Sequence, residues 1–454
     1  MANVSIASGM VPVPSNVAVA TTSNYIGSAD LIAGGDNTAS LHKRDVDEQL
    51  IKRYGDQGIT GLLELVGSKK ETTQQTFEHY EETLLHNHFE GTVGSSVLNI
   101  EDTFDDGGDG SGNTGLRVGD LVLGADNVMY YVSAASAAQP NDDFTLKLVS
   151  DGTTPVTVAK QFYTVVGNAH AERSGQPDGL TPRVHQYSNK CQIIKESFTV
   201  SGSEATNAVY VKVNGGYLWY LKGEADTYQR FNDYAEMQCV IGQSASGLTD
   251  GASGKVETTE GLVEFVKNKG QQIDIPTPIT MTEIDNMVKS LDKYRGAKEM
   301  ALYAGIDLSL DIDDLLSNQS SASGVNYGTF ANNKDMALNL GFNSFTRGGY
   351  TFHKKTYDLF NRPDLLGGAG FTYSGSGIII PMDSQKDAKS GEKIPSLRVR
   401  YKAANGYSRE MEHWLTGGAV LQDKTNEKDE LRCNYRTERG FEGFAPNRFM
   451  WIEK

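Results

Sequence analysis

The clearest pattern in the chain is a period of two. Phe144, Leu146 and Leu148 alternate with Thr145 and Lys147, which puts one side of a strand in a core and the other in water. The flanking runs Leu116 to Leu123, Val128 to Val132, Val156 to Ala159 and Phe162 to Val166 also read as short strands. Turn signals at Gly124-Ala125-Asp126-Asn127 and Ser150-Asp151-Gly152 separate them. Five strands packed so closely predict a small barrel or sandwich. Polar, Gly-rich stretches bracket the segment, so it reads as an inserted domain.

Elsewhere the period changes to that of a helix. Tyr217, Leu221, Tyr228, Phe231, Tyr234 and Ala235 recur at nearly helical spacing up to Gly242 without an intervening Pro, although Gly223 weakens the run. Tyr228 and Phe231 are expected to face a sheet. Thr280-Met281-Thr282-Glu283 is a capping-box signature. It precedes Ile284, Met287, Val288, Leu291 and Tyr294 on one helical face, and Gly296 is placed to end that helix. Shorter helices are predicted from Asp45 to Tyr54 and from Asp311 to Leu316. Cys191 to Val200, Glu299 to Ile306, Ile378 to Ile380, Leu397 to Tyr401 and Leu431 to Tyr435 read as strands. Thr76 to Val97 reads as extended, Ala169 to Asn189 as a loop, and Met1 to Ser40 as an arm that orders against a neighbour. The class is α+β with an all-β insertion.

Composition narrows the function. With 454 residues, 38% apolar and 22% charged, the chain can bury cores without disulfides or metals. A formal charge of −16 opposes tight, sequence-independent DNA binding, which needs clustered cations. Cys191, Cys239 and Cys433 are scattered and odd in number, neither a disulfide framework nor a zinc set. The first 24 residues carry no basic residue and no continuous apolar stretch, unlike a secretory signal. No apolar run approaches the roughly 20 residues that span a bilayer. A soluble protein made inside a cell is the expectation.

Candidate chemistry is sparse. Gly110-Ser111-Gly112-Asn113-Thr114-Gly115 has the glycine spacing of a dinucleotide site, but an acidic loop precedes it and β-like residues follow. Asp105, Asp109 and Asn113 resemble calcium ligands, yet Leu116 stands where an EF-hand needs its bidentate Glu. His86 and His88, with His79 and Glu90 nearby, offer two metal ligands on one strand face and lack a third, so they read as surface residues. There is no Gly-x-Ser-x-Gly elbow. Lys69 and Lys70 are eligible for covalent crosslinking but read as solvated charges. No catalytic, cofactor-binding or metal residue is assigned, and no cofactor is expected.

Several stretches carry a resemblance. Tyr54-Gly55-Asp56-Gln57-Gly58-Ile59 with Leu62-Leu63-Glu64, then Thr76-Phe77-Glu78-His79-Tyr80-Glu81-Glu82, resemble the N-terminal region of tailed-phage major capsid proteins. Ser197-Phe198-Thr199-Val200-Ser201-Gly202, Lys298-Glu299-Met300-Ala301-Leu302-Tyr303-Ala304-Gly305, Arg400-Tyr401 and Tyr435-Arg436-Thr437-Glu438-Arg439-Gly440 continue it in order. A narrower likeness is to crAss-like phages and similar podoviruses of Bacteroidetes. The resemblance implies the Hong Kong ninety-seven capsid fold and a non-enzymatic shell subunit that self-assembles into hexamers and pentamers of an icosahedral head enclosing double-stranded DNA. Portal and scaffold or auxiliary proteins would be its partners. Carried onto this chain, it implies an N-arm at 1–75 and an E-loop at 76–189 with the insertion at about 116–166. It also implies a peripheral domain with a spine helix at 190–252, an axial domain at 253–395 and closing peripheral strands at 396–454. The rival readings are another virion component, such as a tail-tube, fibre or decoration protein, and a hydrolase whose site assembles from distant residues.

Overall fold

The computed structural model describes residues 68–82, 88–103, 115–135, 144–155, 157–177, 179, 184–213, 216–245, 247–250, 254–276, 279–322, 343–367, 373–386, 391, 393–421 and 423–454. The arm, the helix expected at 45–54 and the acidic loop at 105–112 lie outside them. Along the chain, β1 (Lys69–Thr72) and β2 (Thr76–Glu82) lead into β3 (His88–Gly94), β4 (Val97–Thr103), β5 (Asp120–Gly124), β6 (Met129–Ala135), β7 (Phe144–Leu148) and β8 (Thr157–Asn168). The chain returns through β9 (Val184–Lys190), antiparallel to β2 from Thr76↔Lys190 to Glu82↔Val184. Then follow β10 (Gln192–Ser201), α1 (Trp219–Ile241), α2 (Leu262–Lys269), β11 (Gln271–Asp274), α3 (Met281–Lys293), β12 (Glu299–Ala304) and α4 (Ile306–Ala322). The remaining principal strands are β13 (Ser344–Arg347), β14 (Tyr350–Thr356), β15 (Gly377–Pro381), β16 (Leu397–Ala404), β17 (Glu412–Gly417), β18 (Glu430–Gly443) and β19 (Met450–Glu453).

The β-rich insertion is a closed six-stranded barrel in the order β3-β4-β7-β6-β5-β8. It takes in more chain than 116–166. β3 and β4, which come before the acidic loop, supply two of its staves, so that loop connects β4 to β5 within the barrel and does not border it. The two runs expected at 156–159 and 162–166 fall, from Thr157 onward, in one twelve-residue strand, β8. The alternation in β7 works as expected: Phe144 and Leu146 are buried beside Phe89, Val122, Tyr130 and Tyr163. Asn127 turns the β5–β6 hairpin at φ 61°, a conformation that asparagine tolerates. Closure removes both sheet edges, which lets so small a module stand on its own core.

By internal packing the described residues fall into two units. One holds Glu196–Phe231 and His413–Tyr435; the other holds the barrel, Asn232–Glu412 and Arg436–Lys454. In the smaller unit, Phe231 of α1 is fully buried and its ring lies 5.8 Å from that of Tyr435. Tyr228 also approaches Tyr435, at 5.7 Å, but stays 41% exposed. The buried ridge of α1 runs through Thr227, Phe231, Ala235 and Cys239 at i, i+4 spacing, and Tyr228 flanks it. Gly223 is explained by close approach, because a Cβ there would stand 2.6 Å from the Phe198 ring.

The larger unit contains a six-stranded sheet, β11-β19-β15-β12-β14-β13, with β12 parallel to β14 and antiparallel to β15. Helix α3 covers it through Ile284, Met287 and Leu291. Its capping box is formed: Thr280 N–H donates to the Glu283 carboxylate at 3.0 Å, and Thr282 N–H to Thr280 Oγ1 at 3.3 Å. Arg295, at φ 54°, takes the left-handed position, and Gly296 N–H closes on the Leu291 carbonyl at 2.8 Å. The last strand, β19, pairs with β11 and β15 in this sheet and so does not close the other one. The expected helix at Asp311 to Leu316 is the middle of α4, and the loop expected at Ala169 to Asn189 ends in β9. The other sheet runs β1-β16-β18-β10, with β17 on β18.

Two outcomes test this architecture. Phe231→Ala should cost about 3–5 kcal/mol of stability, read as a lower melting temperature in calorimetry. Replacing residues 84–182 with a short Gly-Ser turn, which joins β2 directly to β9, should leave a soluble chain that melts cooperatively. An insoluble deletion chain would mean that the barrel shares the main core.

Candidate functional site at the root of the outgoing ribbon

Strands β16 and β18 pair antiparallel with Arg398 opposite Glu442, Val399 opposite Phe441 and Arg400 opposite Gly440. Because side chains alternate, the pair has two unlike faces. Leu397, Val399 and Phe441 enter a core with Phe265, Trp451 and Phe449. Arg398, Arg400 and Glu442 share the opposite face, where they are buried as well.

On that face Glu442 is the centre. Arg398 Nε donates to its Oε2, and Arg400 grips both oxygens, Nε to Oε2 at 2.7 Å and Nη2 to Oε1 at 3.0 Å. His79 Nδ1 stands 3.5 Å from Oε1. Burial alone would raise the carboxyl pKa, but the bonds from His79, Arg400 and Arg398 outweigh it and hold Glu442 well below the usual carboxylate range. The guanidinium of Arg398 lies 4.7 Å from the Phe444 ring centre, and that of Arg400 lies 5.6 Å from Phe77.

The β2–β9 ribbon is rooted on this platform. A Cβ at Gly440 would stand 2.5 Å from the Lys190 carbonyl oxygen and 3.0 Å from the Phe77 ring, so only glycine lets β9 seat there. Phe77 and Asn189 are the buried members of the ribbon strands, and they are register partners at its base. Asn189 Nδ2 donates to the carbonyls of Glu260 at 2.9 Å and Phe441 at 2.7 Å, while its Oδ1 accepts from Glu260 N–H at 2.9 Å. Lys190 pairs with Glu257, and Ala445 N–H donates to Glu81 at 2.8 Å. Outward from the root, Tyr80 and Val184 are exposed. A shallow cleft beside His79, Tyr187 and Lys269 has about 10 Å³ of free space, room for one water. The arrangement can fix the direction of the ribbon.

The residues singled out for chemistry are not brought together. His79 is at the ribbon root, between Glu81 and Glu442. His88 lies on β3 with its ring 5.6 Å from Phe162, and burial followed by the charge of Lys293 lowers its pKa. Glu90 pairs with Lys160 at 3.0 Å. His86, Asp105, Asp109 and Asn113 are outside the described residues. Among the described residues no three His, Cys, Asp or Glu side chains converge as metal ligands. Gly115 leads to the buried Leu116 and on to β5, with no helix to receive a phosphate. Lys69 reaches Glu410 at 2.5 Å from β1, which pairs parallel with β16. Sequence reading missed the Glu442 cluster. Its signal was the alternation Arg398-x-Arg400-x-Lys402 against Glu438-x-x-x-Glu442, legible only with the strand pairing known.

A family model, SU10 major capsid protein, matches residues 33–338, about two thirds of the chain. The chain belongs to that family. It is a major capsid protein of the phage capsid fold class, and its place is the virion shell. No curated protein matches it by sequence. Similar solved structures include the capsid of the cyanophage P-SCSP1u, at 8% identity and TM-score 0.44, covering 95% of this chain and 99% of that one. Gordonia phage Cozz matches at 10% identity and TM-score 0.41, with 93% and 94% covered. Microbacterium phage Oxtober96 matches at 11% and 0.39, with 93% and 99% covered.

Glu442→Gln should destabilise the chain by about 3–5 kcal/mol, since two guanidiniums lose their buried counter-charge. A depressed carboxylate pKa contributes stability above the ordinary glutamate range and loses it as pH falls through the folded value. Wild-type stability should therefore drop on acidification below about pH 4, more steeply than that of the variant, in denaturant titrations run at several pH values.

Proposed function

We propose that the chain assembles into hexamers and pentamers of an icosahedral head that encloses double-stranded DNA without reading its sequence. It is made in the host cytoplasm, has no enzymatic role, and meets a portal and scaffold or auxiliary proteins in the particle. Residues 1–75 serve as the N-arm, 76–189 as the extended loop carrying the barrel, 190–252 and 396–454 as the peripheral domain, except that β19 joins the sheet of the axial domain, and 253–395 as the axial domain.

The observation that carries this reading is the ribbon, which is fixed at its base by Phe77 and Asn189 while Tyr80 and Val184 further out are exposed. A two-stranded ribbon is marginal by itself in water, so a partner along its length is what would stabilise it. Shells of identical copies supply such a partner, and bendable links let one surface pair in several slightly different geometries. The charge of −16 suits a container that must not adhere to the DNA inside it.

Expressed alone or with its scaffold, the protein should form hexamer-sized, pentamer-sized or megadalton particles in analytical ultracentrifugation and negative-stain microscopy. A monomer or dimer at every concentration would overturn the proposal.

A further inference from the structure

We propose that His79 is a proton-operated latch that ties the ribbon to the body when charged and releases it when neutral. The two ring nitrogens face two carboxylates on different parts of the chain. Nε2 is 3.2 Å from Glu81 Oε1 on the ribbon itself, and Nδ1 is 3.5 Å from Glu442 Oε1 on β18. An imidazolium has two N–H donors and serves both oxygens at once. A neutral imidazole has one donor, and its other nitrogen would turn a lone pair toward a carboxylate oxygen. Losing the proton must therefore cost one of the two contacts. The longer one, to Glu442, is the one given up, because Glu442 keeps two guanidinium partners without it. Of the two, that contact is the one His79 makes directly to the body; the Ala445 N–H bond to Glu81 remains.

The surroundings act in both directions. The rings of Tyr187 at 5.5 Å and Phe444 at 4.7 Å enclose the imidazole. Arg398 and Arg400, behind Glu442, oppose its charge. Lys269 of α2, across the cleft, is neutralised by Glu260 at 2.6 Å. Burial disfavours the charged ring, but the bonds to Glu442 and Glu81 outweigh it and leave the His79 pKa above its ordinary value. A raised histidine pKa gives a tie that is complete below about pH 6.5 and lost as pH rises through the folded value. Of the side chains that tie ribbon to body, among them Lys190 with Glu257 and Asn189, imidazole alone has an ordinary pKa between about 5 and 8.

The experiment uses the full chain below its assembly concentration, so a failure to form shells would overturn the function proposed above without touching this one. The His79 ring is titrated by NMR, and amide exchange of 76–82 and 184–190 is followed against pH after correction for intrinsic rates. Exchange in the ribbon should rise about fivefold or more in a step that coincides with the His79 titration. His79→Gln, which is neutral at every pH, should lack the step, and Glu81→Gln should move it to lower pH. A His79 pKa at or below the ordinary imidazole value, or a step retained in His79→Gln, would sink the proposal. Should His79→Gln fail to fold, the coincidence of the wild-type step with the wild-type titration decides.

Discussion

Burying the Glu442 carboxylate is the constraint on which the rest of the large unit turns. An isolated buried carboxylate is costly enough that it would take up a proton instead. Here two guanidiniums and an imidazole keep it charged, and each is itself buried or half-buried. Such clusters add little net stability over a well-packed apolar equivalent, but they are severe on misplacement. A one-residue slip of β18 would turn Glu442 into the core of Phe265 and Trp451, and Phe441 onto the arginines. The cluster therefore fixes register, and register puts Gly440 where the ribbon must sit.

The same constraint gives the root its long reach along the chain. His79 and Phe77 meet Glu442, Gly440 and Phe444 across more than three hundred residues, and β1 joins β16 over a similar gap. Pairings so distant are slow, because the loop they close has to be ordered before the contact is made. The barrel differs. Its strands follow one another closely and share one core, so it can form early and by itself. The ribbon is then defined last, when the sheet beneath it is complete.

What the sequence made legible follows from how local each cause is. The capping box at Thr280, the alternation in β7 and the turn at Asn127 are written within a few residues, and the structure has them. The α1 helix is there too, but Tyr217 falls in a short strand before it, and Tyr228 and Tyr234 are exposed beside the ridge of Thr227, Phe231, Ala235 and Cys239. The barrel limits were misjudged because the inward side of β3 is weakly apolar: Phe89, Gly91 and Val93 are its buried positions, and Gly91 brings no side chain to mark the period. The intervening Gly-rich loop looked like a border, whereas it separates β4 and β5, two staves of one barrel that are not neighbours in it. Val184 to Asn189 was read as part of a loop since its strand character depends on β2 as partner. The Glu442 site was invisible for the same reason, because an alternating Arg pair acquires meaning only when a carboxylate is set opposite. The capsid resemblance came from motif order along the chain, which none of these local causes supplies.

The ribbon has two fixed ends and a loose middle. Its outer end runs into a closed barrel with its own core, and its inner end is pinned by Phe77, Asn189 and the Glu442 platform. Between them, the five register pairs from Glu78↔Ser188 to Glu82↔Val184, with half-buried or exposed side chains, hold the link together. Backbone bonds keep such a ribbon extended, while little packing sets its bend or twist, and two-stranded ribbons twist more freely than wide sheets. Direction is thus decided at the root and compliance lies beyond it. A subunit that must fit neighbours at several angles needs that division. A rigid ribbon would fit one geometry only, and an unanchored one would make the barrel's position as variable as the chain allows.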